Sequence, residues 1–202
     1  MGKSQQRSKS LGLKFPLSTI GSMNYSLLYN TIHKIIEKED SDLASLTGKG
    51  IFYAPELYLA FIVGKEIKRE EASIFGHSTE WIRETNFGNG GPTDFAFKAG
   101  KRTYAFELKV RDNYHSYASD IEKLNQLDDN YDKFFVALVD SWESKKDLDE
   151  RILSLENQFP GQLNRINDFR SFPTLQDRYK GKVCCTLAVW KIQKTRASKT
   201  FS

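Results

Sequence analysis

Cysteine is nearly absent from this chain: it holds two in 202 residues, the adjacent Cys184 and Cys185. Neighbouring strand residues point to opposite faces, so an ordinary bridge between the two is sterically disfavoured. A disulfide-stapled secreted scaffold is therefore excluded, and a reducing cytoplasm fits this usage best. Histidine is equally sparse, and His33, His77 and His115 show no metal-ligand spacing. Long apolar runs are missing too. The longest, Leu57 to Val63, is far short of the roughly 20 residues that span a bilayer, so no membrane segment is expected. The N-terminus has basic residues but no continuous apolar stretch and no small-residue cleavage site, which predicts no secretory signal. What is present, 39% apolar and 28% charged residues, is the composition of one soluble globular domain rather than of a disordered or collagenous chain. A chain of this size buries roughly 70% of its unfolded surface, enough to fold without disulfide or metal.

The net charge of +4 is unevenly placed. Lys3, Arg7, Lys9 and Lys14 open the chain without an acid, and Lys191, Lys194, Arg196 and Lys199 close it in the same way. Residues 15–190 hold 22 basic against 26 acidic side chains, a net −4, so the body is mildly acidic. Basic ends of this kind attract polyanions through nonspecific, salt-sensitive forces, and they equally serve as solvated tails; charge alone does not decide. Residues 1–20 read as a flexible basic tail, 21–192 as a single domain, and 193–202 as a second basic tail.

Within the domain, Leu27, Leu28, Ile32, Ile35 and Ile36 recur at helical spacing over 24–38. A second helix is expected from about Pro55 to Glu70, with proline in its first turn and a run apolar nearly all round, the pattern of a buried helix. Strand-like runs follow at about 80–87, 93–98 and 102–111, then a helix near 117–128. Phe134 to Val139 has the look of a central strand, residues 143–157 look helical, 158–181 reads as a long irregular loop, and Val183 to Ile192 as a last strand. No internal repeat is evident.

The informative stretch is Pro92-Thr93-Asp94-Phe95-Ala96-Phe97-Lys98-Ala99-Gly100-Lys101-Arg102-Thr103-Tyr104-Ala105-Phe106-Glu107-Leu108-Lys109. If Gly100-Lys101 is a two-residue turn, Phe95 opposes Phe106, Ala96 opposes Ala105, Phe97 opposes Tyr104, Lys98 opposes Thr103, and Asp94 faces Glu107. Each face is then chemically consistent, and a one-residue slip would set apolar side chains against polar ones. Carboxylates opposed across antiparallel strands repel unless a cation sits between them. Mg²⁺ suits such a pair, because it needs only one or two protein carboxylates and keeps several waters. Lys109 projects from the same face as Glu107, near enough to orient an attacking water. Two acids, a lysine and a metal suit phosphodiester hydrolysis.

Pro92-Thr93-Asp94, twelve further residues, and Glu107-Leu108-Lys109 resemble the PD-(D/E)xK signature of restriction-endonuclease-like nucleases. The resemblance covers about residues 51–140. It implies a three-layer α/β/α core with a central mixed sheet in the order α-β-β-β-α-β. It also implies Mg²⁺, with Mn²⁺ as a substitute, held by Asp94 and Glu107 with the backbone carbonyl of Leu108, and Lys109 serving the nucleophilic water. Thr93 intervenes between proline and aspartate, but the ligating aspartate is kept. Glu66-Ile67-Lys68 spells the same three-residue pattern on a helix, where its ends diverge by about 200°, and is expected to be a solvated pair. For the hairpin, the competing reading is an amphipathic sheet whose polar face meets water, with Lys109 neutralising the acids.

Glu56, in the first turn of the second helix, shares a face with Leu59, Ala60, Val63 and Ile67 and is the candidate third metal carboxylate; a helix dipole alone also favours glutamate there. Lys123, Gln126 and Arg111 are the candidate DNA contacts, with helix or loop solvation as the simpler account of each. The expectation is thus a Mg²⁺-dependent DNA endonuclease, acting as a homodimer because cutting both strands needs two sites. A repair, recombination or transposon-end nuclease and a non-catalytic nucleic-acid-binding module on the same fold are the alternatives.

Overall fold

The computed structural model describes residues 23–143 and 149–194. The two basic tails expected at 1–20 and 193–202 lie wholly or almost wholly outside the described residues, as do residues 144–148 of the helix expected over 143–157.

Helix α1, Tyr25–Thr47, is opened by Asn24, whose side chain accepts the Leu27 N–H, and closed by Gly48 at φ 69°. It outruns the predicted 24–38 because the acidic Glu37-Lys38-Glu39-Asp40 stretch continues the helix and buries Asp40. Helix α2, Glu56–Arg69, follows a short 3₁₀ turn, and a brief α3, Glu71–Phe75, follows that. Then come β1 (Glu80–Asn86), β2 (Pro92–Ala99), β3 (Arg102–Val110), α4 (Tyr114–Asn125), β4 (Tyr131–Trp142) and α5 (Glu150–Gln158). The stretch expected as irregular loop contains two short strands, β5 (Leu163–Arg165) and β6 (Arg170–Pro173), before β7 (Val183–Ile192). Both are edge strands of three and four residues, too short to carry an alternation that could be read from sequence.

The seven strands form one mixed sheet in the order β1-β2-β3-β4-β7-β5, with β6 also on β7. Pairing is antiparallel throughout except for β3 and β4, which run parallel through α4. Two separate cores cover the two faces. Phe95, Phe97, Phe106, Leu108, Phe134 and Val136 pack with α1, α2 and α3, while Ala105, Phe135, Ala137, Ala188 and Trp190 pack with α4 and α5. The molecule is therefore an α/β protein with helices on both faces of a mixed sheet. Helix α2 is not buried all round: Leu57 is 49% and Tyr58 39% exposed, and only the face with Leu59, Ala60, Ile62, Val63 and Ile67 is covered. An apolar run on a helix lying on one sheet face must turn some of its residues outward.

Candidate active site

The β2–β3 hairpin has the register that its turn and its alternation require: Phe95 on Phe106, Ala96 on Ala105, Phe97 on Tyr104 and Lys98 on Thr103. Away from the turn, pairing ends at Phe95 and Phe106, and the next residue on each strand is the acid, Asp94 on one and Glu107 on the other. The β1–β2 register likewise passes over Glu84 and Asp94, where Glu84 takes a φ of 48°, a left-handed conformation rare outside glycine. Asp94 uses its freedom from the ladder to accept the Leu108 N–H on Oδ2 at 2.8 Å.

Alternation along β3 sends Phe106 and Leu108 into the core beneath α2 and Ala105 into the core beneath α4, so Glu107 and Lys109 leave the strand on the α4 side. Helix α4 is capped by Asn113, which accepts the Ser116 N–H, and it buries Tyr117, Ala118, Ile121 and Leu124. Asp120 and Lys123 flank that buried stripe and meet the strand. Lys123 Nζ lies 2.8 Å from Glu107 Oε1 and donates to the Pro92 carbonyl at 2.9 Å. Lys109 Nζ donates to Glu56 Oε1 at 2.9 Å and lies 3.3 Å from Asp120 Oδ2. Glu56 in turn accepts the Val110 N–H on its other oxygen at 3.0 Å. The result is a row of alternating charge, Glu56, Lys109, Asp120, Lys123, Glu107, with Asp94 beside its end.

Burial makes this row electrostatically uneven. Glu107 is 2% exposed, and its Oε1 meets the Lys123 ammonium at 2.8 Å. Loss of water, then the charge of Asp94, push the Glu107 carboxyl up to about 8 against the relief Lys123 offers. Asp94 is also raised, first by burial and further by Glu56, with the Leu108 N–H pulling the other way. Lys109 is pulled down by burial but raised overall by Glu56 and Asp120, so it stays an ammonium at any ordinary pH and cannot act as a general base. Four carboxyl groups face two ammonium groups, and the deficit falls at Asp94 and Glu107.

That deficit suits a hard cation at the acid pair. Among the described residues no three histidine, cysteine, aspartate or glutamate side chains converge to form a closed metal cage. Two carboxylates are what Mg²⁺ requires when it retains its waters. Glu56 is not brought onto the pair: both its oxygens are engaged, by Lys109 and by the backbone of Val110, so here it holds the lysine.

Of the proposed DNA contacts, Lys123 lies in the site; Gln126 caps the end of α4 beside Gly90, and Arg111 turns away to pair with Asp140 at 3.1 Å. Asp120 was not singled out from the sequence. Its signal was present, since it precedes Lys123 by three residues on one helix face, but an acid 26 positions from Asp94 gains meaning only once α4 is laid over β3. Glu66 and Lys68 have separate partners, Arg69 and Glu71, as their helical spacing requires. Comparison of the chain with protein-family models, with curated proteins and with solved structures gives no match in any of the three.

Proposed function

We propose that the chain is a Mg²⁺-dependent DNA endonuclease of the restriction-endonuclease-like kind, with Mn²⁺ able to substitute. The observation that carries this reading is Glu107: a buried carboxyl beside Asp94, only partly relieved by Lys123, near the end of a strand whose next polar residue is a fixed ammonium. A one-to-one ion pair would balance its acid, whereas here two ammonium groups are shared among four carboxyls. The mixed sheet covered by helices on both faces supports the reading, as does the position of the site at the carboxyl end of β3, one of the two parallel strands, where α/β proteins place ligands.

Asp94 and Glu107 would hold the ion, with the Leu108 carbonyl as the resemblance implies. Bound Mg²⁺ supplies Lewis acidity, making the attacking water more acidic and offsetting charge on the phosphate. Glu107 would release its proton to solvent on taking up the ion. Lys109, fixed by Glu56 and Asp120, donates a hydrogen bond that orients the water and does not accept its proton. Lys123 is 20% exposed at the side chain and is the cation best placed to turn from Glu107 toward a phosphate oxygen. Duplex cleavage would use two copies of the chain.

The test is incubation of purified protein with supercoiled plasmid in Mg²⁺ and in EDTA. Metal-dependent cutting is expected, lost by a factor of about 10²–10³ or more in Asp94→Ala, Glu107→Ala and Lys109→Ala while the circular dichroism spectrum is kept. Discrete bands would mark a restriction enzyme and smearing or nicking a repair-type nuclease. A mobility shift without cutting under any metal would overturn the catalytic reading in favour of a binding module.

A further inference from the structure

At the carboxyl end of the parallel strands lies a cleft of about 120 Å³ that the chemistry above does not use. Its walls include Tyr53, Trp142 and Tyr179, and its polar lining includes Arg111, Asp140 and Gln176. The cleft is linked to the site through the chain: Arg111 follows Val110, whose N–H is held by Glu56, and the 3₁₀ turn containing Tyr53 leads directly into α2, where Glu56 sits. Two residues of chain separate Lys109 from Arg111, roughly 7 Å.

Three properties describe its occupant. The first is aromatic surface left in water: Trp142 is 52% and Tyr53 47% exposed, and Trp142 meets Tyr179 edge-on at 5.7 Å. The second is positive charge set on those rings, with Arg178 over Tyr179 at 5.2 Å and Lys49 over Tyr53 at 5.7 Å. The third is unspent hydrogen-bonding capacity. Arg111 is anchored through Nε on Asp140 at 3.1 Å, and among the described residues its terminal nitrogens make no hydrogen bond. Gln176, 4% exposed, donates its amide to Thr174 at 3.1 Å, and among the described residues its carbonyl oxygen accepts none. Asp140 is spent on Arg111 and on Arg151 at 2.9 Å, so the cleft does not repel an anionic ligand as a bare carboxylate would. Arg111 itself takes a φ of 48°, a costly conformation for a side-chain-bearing residue that turns the chain out of β3 into the cleft. The cleft opens to solvent, so a planar ring can lie against its aromatic wall without being enclosed by it.

We propose that this cleft binds one unpaired nucleobase of the strand being cut, stacked on Trp142 with Tyr179 set at a right angle beside it, and read on its edge by Arg111 and Gln176, with Arg178 and Lys49 near its phosphates. Stacked bases in a duplex cannot present a face to protein aromatics, so the substrate is single-stranded, flapped or locally opened DNA. The inference rests on the nuclease reading for its location and on the cleft for its content.

Both can be separated in one set of measurements. Anisotropy of a fluorescein-labelled 12-nucleotide oligo-dT, and of the same strand annealed to oligo-dA, is recorded in EDTA so that no cutting is needed. The wild-type protein is expected to bind the single strand more tightly than the duplex. Trp142→Ala is expected to weaken single-strand binding about tenfold or more, since aromatic stacking on a base is worth roughly 5- to 100-fold, while Trp142→Phe keeps most of it and neither variant changes duplex binding. Arg178→Ala, on an exposed 3₁₀ turn, gives a second variant with a smaller loss of single-strand binding in the same direction. Equal binding of single strand and duplex, or a Trp142→Ala variant that melts like wild type and binds oligo-dT as well, would overturn the inference. Plasmid cutting together with that result would leave the nuclease reading standing alone; Trp142-dependent binding without any metal-dependent cutting would leave the cleft standing and remove the nuclease.

Discussion

Glu107 and Glu56 are the same residue type put to opposite uses. Glu107 is buried and under-compensated; Glu56 is half-buried and fully engaged. The folded metal-free protein keeps a proton on Glu107 up to about pH 8, whereas the unfolded chain releases it near 4.5. Between those values the folded state binds the extra proton, so the contribution of this residue to stability is full below the lower value and is lost as pH rises through the upper one. Glu107→Gln, which mimics the protonated form, is expected to match wild type near pH 4.5 and to exceed it at pH 8.5 by a few kcal/mol, on the order of 3. Urea denaturation of both proteins in EDTA at the two pH values checks this, and a difference that does not change with pH would mean that Glu107 is ionised throughout. Glu56→Gln should act through Lys109. Loss of the anion that fixes the ammonium is expected to lower kcat about tenfold with KM little changed, and to move the alkaline limb of the rate profile to lower pH. A profile of unaltered shape would leave Glu56 a purely structural cap.

At the scale of elements, what could be read before folding is what local rules determine. The β2–β3 hairpin was legible because Gly100-Lys101 sets the turn and Phe95, Phe97, Tyr104 and Phe106 fix the parity, and that register alone puts Asp94 and Glu107 at its open end. The α4 contribution was less so: Lys123 stood out as a cation, yet its partner in space is Glu107, and Asp120 was passed over, because both roles depend on how a helix is laid across a strand. The start of α4 at Tyr114 rather than near 117 was marked by Asn113 as a cap, a signal weaker than the apolar spacing that begins at Tyr117. The cleft was not legible at all, since Tyr53, Arg111, Trp142 and Tyr179 come from four separate segments. Two of those segments, the turn with Tyr53 and the stretch that leads to Tyr179, are tied by Asp40. This buried acid accepts the Ile51 N–H and the Leu175 N–H, each at 2.8 Å, tying α1 to the turn before α2 and to the stretch after β6. Gly50 lies so close that an added Cβ would sit 2.2 Å from Asp40 Oδ1. Gly50→Ala must displace that carboxylate and strand the Ile51 and Leu175 N–H donors, a loss of about 2–4 kcal/mol in denaturant unfolding. A change within 0.5 kcal/mol would show that the clamp relaxes around a methyl group.

Taken as a whole molecule, the protein joins a well-packed sheet to a region where two buried carboxyls are short of positive charge, a cost that a bound cation would offset. A cation that binds only the folded state stabilises it by about 2.7 kcal/mol at a hundredfold excess over its Kd, which for a chain of this size raises Tm by roughly 5–10 °C. The pH dependence gives the assignment its specificity. Below about 8 the ion must displace the proton from Glu107, so its apparent affinity should fall about tenfold for each pH unit toward 6 and level off above 8. The Mg²⁺ concentration giving half the Tm rise, measured from pH 6 to 9, is therefore expected to span about two orders of magnitude and then plateau. In Glu107→Gln the rise should largely vanish, and what remains should have no such slope. Exposed acids elsewhere, such as Asp129 paired with Lys194, are ionised throughout this range and give a flat response. A Mg²⁺ effect independent of pH would therefore place the ion on the surface, away from Asp94 and Glu107, and with it would go the chemistry assigned to the pair.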